Sequence, residues 1–119
     1  EGQAARILIP VRCSGGQPYR GTGGFSEYMM AVPYSVFPYT RVAPEEACMC
    51  EPVSCVVHSI ETLNPQFSDT CVIIGAGIMG LLHTQLCVKK GCVVIVIDMN
   101  EDRLQLAQSM GSTLYNQSA

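Results

Sequence analysis

An α/β fold built on a parallel sheet is predicted by three observations in the second half of the chain. Two strand-length runs, "TCVII" and "CVVIVI", are continuously apolar, as strands of a parallel sheet covered on both faces tend to be. Each is followed by a segment of helical periodicity, and a glycine triplet marks the first strand–helix junction. The segment "STLYN" then completes the order β-α-β-α-β, which implies right-handed parallel crossovers.

The elements follow in chain order. Residues 1–24 join a short apolar run, Ile7–Val11, to a loop rich in Gly and Pro, and read as a strand end and a surface loop. "FSEYMMAV", Phe25–Val32, has strand composition and stops at Pro33. Pro33, Pro38 and Pro44 make the next stretch an extended connector. Pro44, Glu45 and Glu46 open a helix in the arrangement its first turn favours. Pro52 is expected to interrupt that helix, because it lacks an amide donor and disfavours helical backbone at Glu51. A second helix then restarts with Val53, Val56, Val57 and Ile60 on one face.

After the loop "LNPQFSD" and the strand "TCVII", a helix is expected from about Gly77 to Lys90. Met79, Leu82 and Leu86 share one of its faces, Lys89 and Lys90 sit at its negative end, and Gly91 caps it. "CVVIVI" ends at Asp98. Asn100 caps the last helix, Glu101 and Asp102 occupy its first turn, and Leu104, Ala107 and Met110 form its apolar face. Gly111 closes that helix.

The 119 residues allow one modest domain or parts of two. An apolar fraction of 48% with 14% charged residues fits a globular chain and not a disordered one. A net charge of −3 without any Lys/Arg cluster argues against nucleic acid as a partner. No apolar run approaches the ~18–20 residues of a membrane span, and no signal peptide is visible at the N-terminus. The seven cysteines are odd in number and mostly lie in apolar segments. They read as buried reduced thiols, which favours a reducing, cytoplasmic compartment. No C-x-x-C pair occurs, and Cys48, Cys50 and Cys55 fall in a helical segment without a His at ligand spacing, so a Cys-based metal site is not expected.

Chemistry concentrates at Gly75-Ala76-Gly77-Ile78-Met79-Gly80, a G-x-G-x-x-G directly after a strand and opening a helix. Gly75 permits the tight turn, Gly77 lets backbone amides approach a pyrophosphate, and Gly80 lets helix and strand pack closely. The helix N-terminus then offers free N–H groups and a positive dipole to the phosphates. Asp98, at the end of the second strand, can accept hydrogen bonds from both adenosine ribose hydroxyls and would repel a 2′-phosphate, which favours NAD over NADP. Its bland reading is a solvated turn residue. Arg103 either covers the adenine face or is simply solvated. Glu51, before a proline in apolar surroundings, reads as a metal or metal-water contact, a substrate-orienting group, or a capping carboxylate at the helix break. His58 and His83, on helices with apolar neighbours, read as packed or surface histidines.

"GGFSEYMMAV", "PEEACMCEPVSCVVHSI", "SDTCVIIGAGIMGLLHTQL" and "DMNEDRLQLAQSMG" together resemble the medium-chain dehydrogenase/reductase superfamily, in its zinc-dependent alcohol, sorbitol and threonine dehydrogenase branch. The resemblance covers residues 23 to about 116; the first 22 match poorly. It implies the tail of a GroES-like β domain over residues 1–43. The first half of a Rossmann-type NAD-binding sheet follows over 44–119.

By position, Gly75, Gly77, Ile78, Met79 and Gly80 resemble the pyrophosphate loop, Asp98 the ribose-binding acid and Arg103 the basic residue flanking the adenosine. Glu51 resembles the glutamate that sorbitol-type members place near the catalytic zinc and its water. The implied activity is zinc-assisted hydride transfer from an alcohol or polyol to NAD, in a homo-oligomer. The family's zinc ligands, an early Cys and a Gly-His-Glu segment, would lie upstream of Glu1, and the four-cysteine zinc lobe is absent, with Cys13 at most a remnant. The chain is therefore expected to lack activity alone. A zinc-independent quinone or enoyl reductase of the same superfamily, and a non-catalytic dinucleotide-binding or interaction module, are the other readings.

Overall fold

The fold is that of a computed structural model, which describes residues 6–8, 33 and 36–116. Two compact units divide between Glu51 and Pro52. In the first, β1 (Arg6–Leu8) pairs antiparallel with β2 (Phe37–Tyr39), Ile7 standing opposite Pro38. The sequence read the β2 stretch only as an extended connector. Pro38 has no N–H for a ladder, and a two-stranded ribbon leaves edges on which that is tolerated. The strand expected at Phe25–Val32, and Cys13, lie outside the described residues.

Helix α1 (Pro44–Ala47) is a single turn. Its start is set as the sequence implies: Pro44 takes the first position, and the Glu46 carboxylate accepts the Ala43 N–H at 2.9 Å. Helix α2 spans Cys50–Leu63. The break between the two helices therefore falls before Cys50 and not at Pro52. Pro52 is the third residue of α2, in the turn whose N–H groups have no intrahelical acceptor anyway, so its missing donor costs nothing there.

The second unit is a three-stranded parallel sheet in the order β3-β4-β5, with β3 at Thr70–Ile74, β4 at Val93–Asp98 and β5 at Thr113–Asn116. Helices α3 (Ile78–Lys89) and α4 (Glu101–Ser109) make the two crossovers. The β-α-β-α-β order is the one expected. Cys71 lies beside Val94 and Ile73 beside Val96, and this face carries the core together with Val56 and Ile60 of α2, Cys87 of α3, and Leu104 and Ala107 of α4. Val94, Val96 and Leu104 are almost completely buried, each worth about 2 kcal/mol relative to exposure.

The opposite face departs from expectation. Ile74 is 85% exposed, and Val72 and Val93 are exposed as well, so among the described residues the sheet is covered on one face only. An apolar run reports that a strand lacks polar residues; it does not report which neighbours cover it. The expected helix faces are also narrower than drawn, since Val57 and Met79 are exposed and the buried α3 positions are Thr84 and Cys87.

Candidate functional site

The site forms where β3 and β4 end side by side, Ile74 against Ile97. The Gly75 N–H donates to the Ile97 carbonyl at 2.7 Å and so continues the ladder one residue beyond β3. Gly75 then turns with φ +98, a backbone that a Cβ would strain. The next amide, on Ala76, donates to the Asp98 carboxylate at 2.6 Å through Oδ2, while Oδ1 accepts the Asn100 N–H at 2.8 Å. One carboxylate thus ties the end of β4 to the glycine turn and to the start of the next loop.

Gly77 follows as the N-cap of α3, with extended backbone and no side chain to cap the helix. Its carbonyl accepts the Leu81 N–H at 2.9 Å. A Cβ at Gly77 would meet no atom within 4 Å, whereas one at Gly80 would overlap the carbonyl oxygen of Gly75. The two glycines therefore do different things. Gly80 lets the helix close onto the strand turn, and Gly77 keeps the outer side of the turn clear. The Gly80 carbonyl also accepts the hydroxyl of the fully buried Thr84 at 2.8 Å, which pins the first turn from within.

Charge follows from this geometry. The first-turn amides of α3 lack intrahelical acceptors, and no acid occupies that turn, so its positive end is uncompensated by the helix itself. Asp98 is held below the usual carboxylate range, chiefly by the Ala76 amide, then by the Asn100 amide and the nearby Arg103 charge, against the opposing effect of burial. It is an anion at neutral pH. Ile78 and Met79 are exposed beside the turn, with Ile74 and Met99 adding apolar surface around the same strand ends. An anion suits such a place, with free amides for its charge and exposed aliphatic surface beside them.

Gly75, Gly77, Ile78, Met79, Gly80 and Asp98 are thus brought into one loop cluster. Arg103 stands exposed on α4, its amide donating to the Asn100 side chain at 3.0 Å. Glu51 belongs to the other compact unit, exposed in the first turn of α2. His58 is exposed, and His83 joins the Met79 carbonyl (2.8 Å) to the Ser59 hydroxyl (3.2 Å), a packing role between α2 and α3. Sequence reasoning missed Ala76 as a bonded amide and Thr84 as a support. The only available signal for either was its place in or one turn after the glycine motif.

Cys71, Cys87 and Cys92 cluster at the other end of the sheet and are raised above the ordinary thiol pKa, first by burial, and the Cys92 thiol donates to the Gln66 carbonyl at 3.6 Å. They are the reduced, packed thiols expected, but Cys48, Cys50 and Cys55 are exposed. Among the described residues no group of three His, Cys, Asp or Glu side chains could hold a metal ion. These residues therefore do not fit a zinc site. No described helix is long and apolar enough to cross a membrane.

Residues 70–119 match the family described as 3-hydroxyacyl-CoA dehydrogenase, NAD binding domain. D-arabinitol dehydrogenase 1 of Uromyces fabae is 37% identical over 79 residues, 66% of this chain and 23% of that protein. The crystal structure of galactitol-1-phosphate dehydrogenase from Escherichia coli superposes with a TM-score of 0.70 at 33% identity, over 81% of this chain and 28% of that one. A candidate zinc-binding dehydrogenase from Sinorhizobium meliloti 1021, bound to NADP, gives a TM-score of 0.67 at 27% identity, over 71% of this chain and 26% of that one. The chain spans about a quarter of the length of each of these relatives.

Proposed function

We propose, for a chain that belongs to the medium-chain dehydrogenase/reductase superfamily in its zinc-type alcohol and polyol branch, that the glycine turn holds NAD. In this reading the protein serves oxidation of an alcohol or polyol. The observation that carries it is the loop itself: an uncapped helix N-terminus reached through a left-handed Gly75, beside an anionic Asp98 at the end of the neighbouring strand. The amides of Gly77, Ile78, Met79 and Gly80 receive the pyrophosphate, Asp98 accepts from the adenosine ribose, and Arg103 flanks the adenosine. Bound NAD supplies a hydride acceptor. The chain's own residues bind and orient it.

Residues 1–43 are assigned to the catalytic β domain and 44–119 to the cofactor domain. Glu51 is assigned to the neighbourhood of the catalytic zinc and its water. The described residues themselves supply no ligand set for that metal. A homo-oligomer in the reducing cytoplasm completes the reading, in keeping with the packed thiols.

NAD rather than NADP is favoured because Asp98 is an anion where a 2′-phosphate would lie. One structural neighbour is bound to NADP, so the choice is a property to measure on this chain. NAD at about one hundred times its Kd should stabilise the fold by about 2.7 kcal/mol, several degrees in Tm. NADP should shift it less. Equal shifts from both, or none from either, would overturn the assignment.

A further inference from the structure

We propose that Asp98 is the positioning residue of the glycine turn, its carboxylate holding the Ala76 amide so that the turn has its course before any ligand arrives. This rests on the dinucleotide reading above and changes what Asp98 is for. As a ribose acceptor alone, its removal would relax the preference between NAD and NADP. As the anchor of the turn, its removal disarms the loop for both.

The backbone supports the second role. Gly75 is already fixed by a main-chain bond to Ile97, so the next joint, at Ala76, is the first that depends on a side chain. Ala76 is 1% exposed and its N–H donates to the Asp98 carboxylate, so removing that carboxylate takes away the acceptor of an amide with little access to bulk water. Gly77 comes next and starts α3, so the direction of the first-turn amides follows from where Ala76 is held. The carboxylate cannot swing freely, because its other oxygen accepts the Asn100 N–H. Two ionised oxygens offer about four acceptor positions, of which these two amides take two. The remainder can still receive ribose hydroxyls, so anchoring and ribose contact are compatible.

Two substitutions separate the roles. Asp98→Ala removes both acceptors. Asp98→Asn keeps one acceptor and loses the charge. Its single oxygen goes to Ala76, whose amide is buried, while the Asn100 amide lies on an exposed residue that water can serve. The test measures amide hydrogen exchange at Ala76 in the ligand-free chain, with Val96 of the core as reference, and NAD and NADP affinities by calorimetry.

In Asp98→Ala, exchange at Ala76 should quicken about tenfold or more relative to Val96, and both cofactors should weaken by about tenfold or more. Asp98→Asn should restore protection at Ala76 and bind NADP at least as well as wild type, while NAD weakens. Unchanged exchange at Ala76 in Asp98→Ala, or a gain of NADP affinity in that variant, overturns the proposal. If Asp98→Ala loses protection at Val96 as well, the ratio in Asp98→Asn decides: wild-type protection supports the anchor, and rapid exchange at Ala76 alone refutes it. A wild-type chain that binds neither cofactor overturns the function reading instead, and the exchange arm still decides the role of Asp98.

Discussion

The two ends of the parallel sheet are made from the same strands and have opposite chemistry. At the C-terminal end, β3 and β4 run out into a left-handed glycine, an uncapped helix N-terminus and an ionised carboxylate whose bonds are with main-chain amides. At the other end, Cys71, Cys87 and Cys92 pack together as protonated thiols, and the nearby open depression is lined by Leu63, Asn64, Pro65, Asp69, Thr70 and Cys71. The difference follows from direction alone. In a parallel sheet every strand delivers its last residues, and the start of the following helix, to one end, so free amides accumulate there. The opposite end receives helix C-termini and strand starts, and can be closed with small apolar side chains.

The comparison breaks most sharply at the glycine end. Gly80→Ala puts a Cβ onto the Gly75 carbonyl, which is backbone and cannot rotate away, so helix and turn must separate. A loss of about 3 kcal/mol in denaturant unfolding is expected, with loss of NAD-induced stabilisation. At the thiol end, Cys87→Ala removes a buried sulfur and should cost about 1 kcal/mol while leaving the NAD-induced shift in place. Loss of the NAD shift in Cys87→Ala, or its survival in Gly80→Ala, would erase the distinction between the ends.

A smaller effect sharpens it. The pKa of Asp98 is depressed in the fold, so its contribution is fully present above the ordinary carboxylate pKa and is lost as pH falls through the lower, folded value. The Ala76 amide resonance should therefore titrate with a midpoint below the usual carboxylate range. At the thiol end the shifts are upward, so Cys87 and Cys92 should stay protonated through the same acid range and past neutral pH. An Ala76 midpoint at or above the ordinary carboxylate value contradicts the bonding described for Asp98.

Much of this was legible in sequence because it is local. The strand–glycine–helix junction, the acid closing β4, and Asn100 as the cap of α4, accepting the Arg103 amide at 3.0 Å, are all set within a few residues. What was not legible depends on register. Ala76 and Asp98 meet because Ile74 and Ile97 are paired, and no periodicity in either strand reports that a carboxylate will turn inward to an amide. The three thiols converge for the same reason. The helix break was misplaced because Pro52 disrupts a helix interior but is harmless in a first turn, and the start at Cys50 decides which applies. The exposed face carrying Val72 and Ile74 was hidden because continuous apolar residues read alike whether one face is covered or two.

The C-terminal end of the sheet is proposed as the dinucleotide site. Titrating NAD into the isotope-labelled chain and following backbone amide resonances tests it directly. Saturable shifts should concentrate at Gly75 to Gly80 and at Asp98 to Asn100, leaving Leu63 to Cys71 unmoved. Shifts confined to Leu63 to Cys71, or none that saturate anywhere, would contradict it.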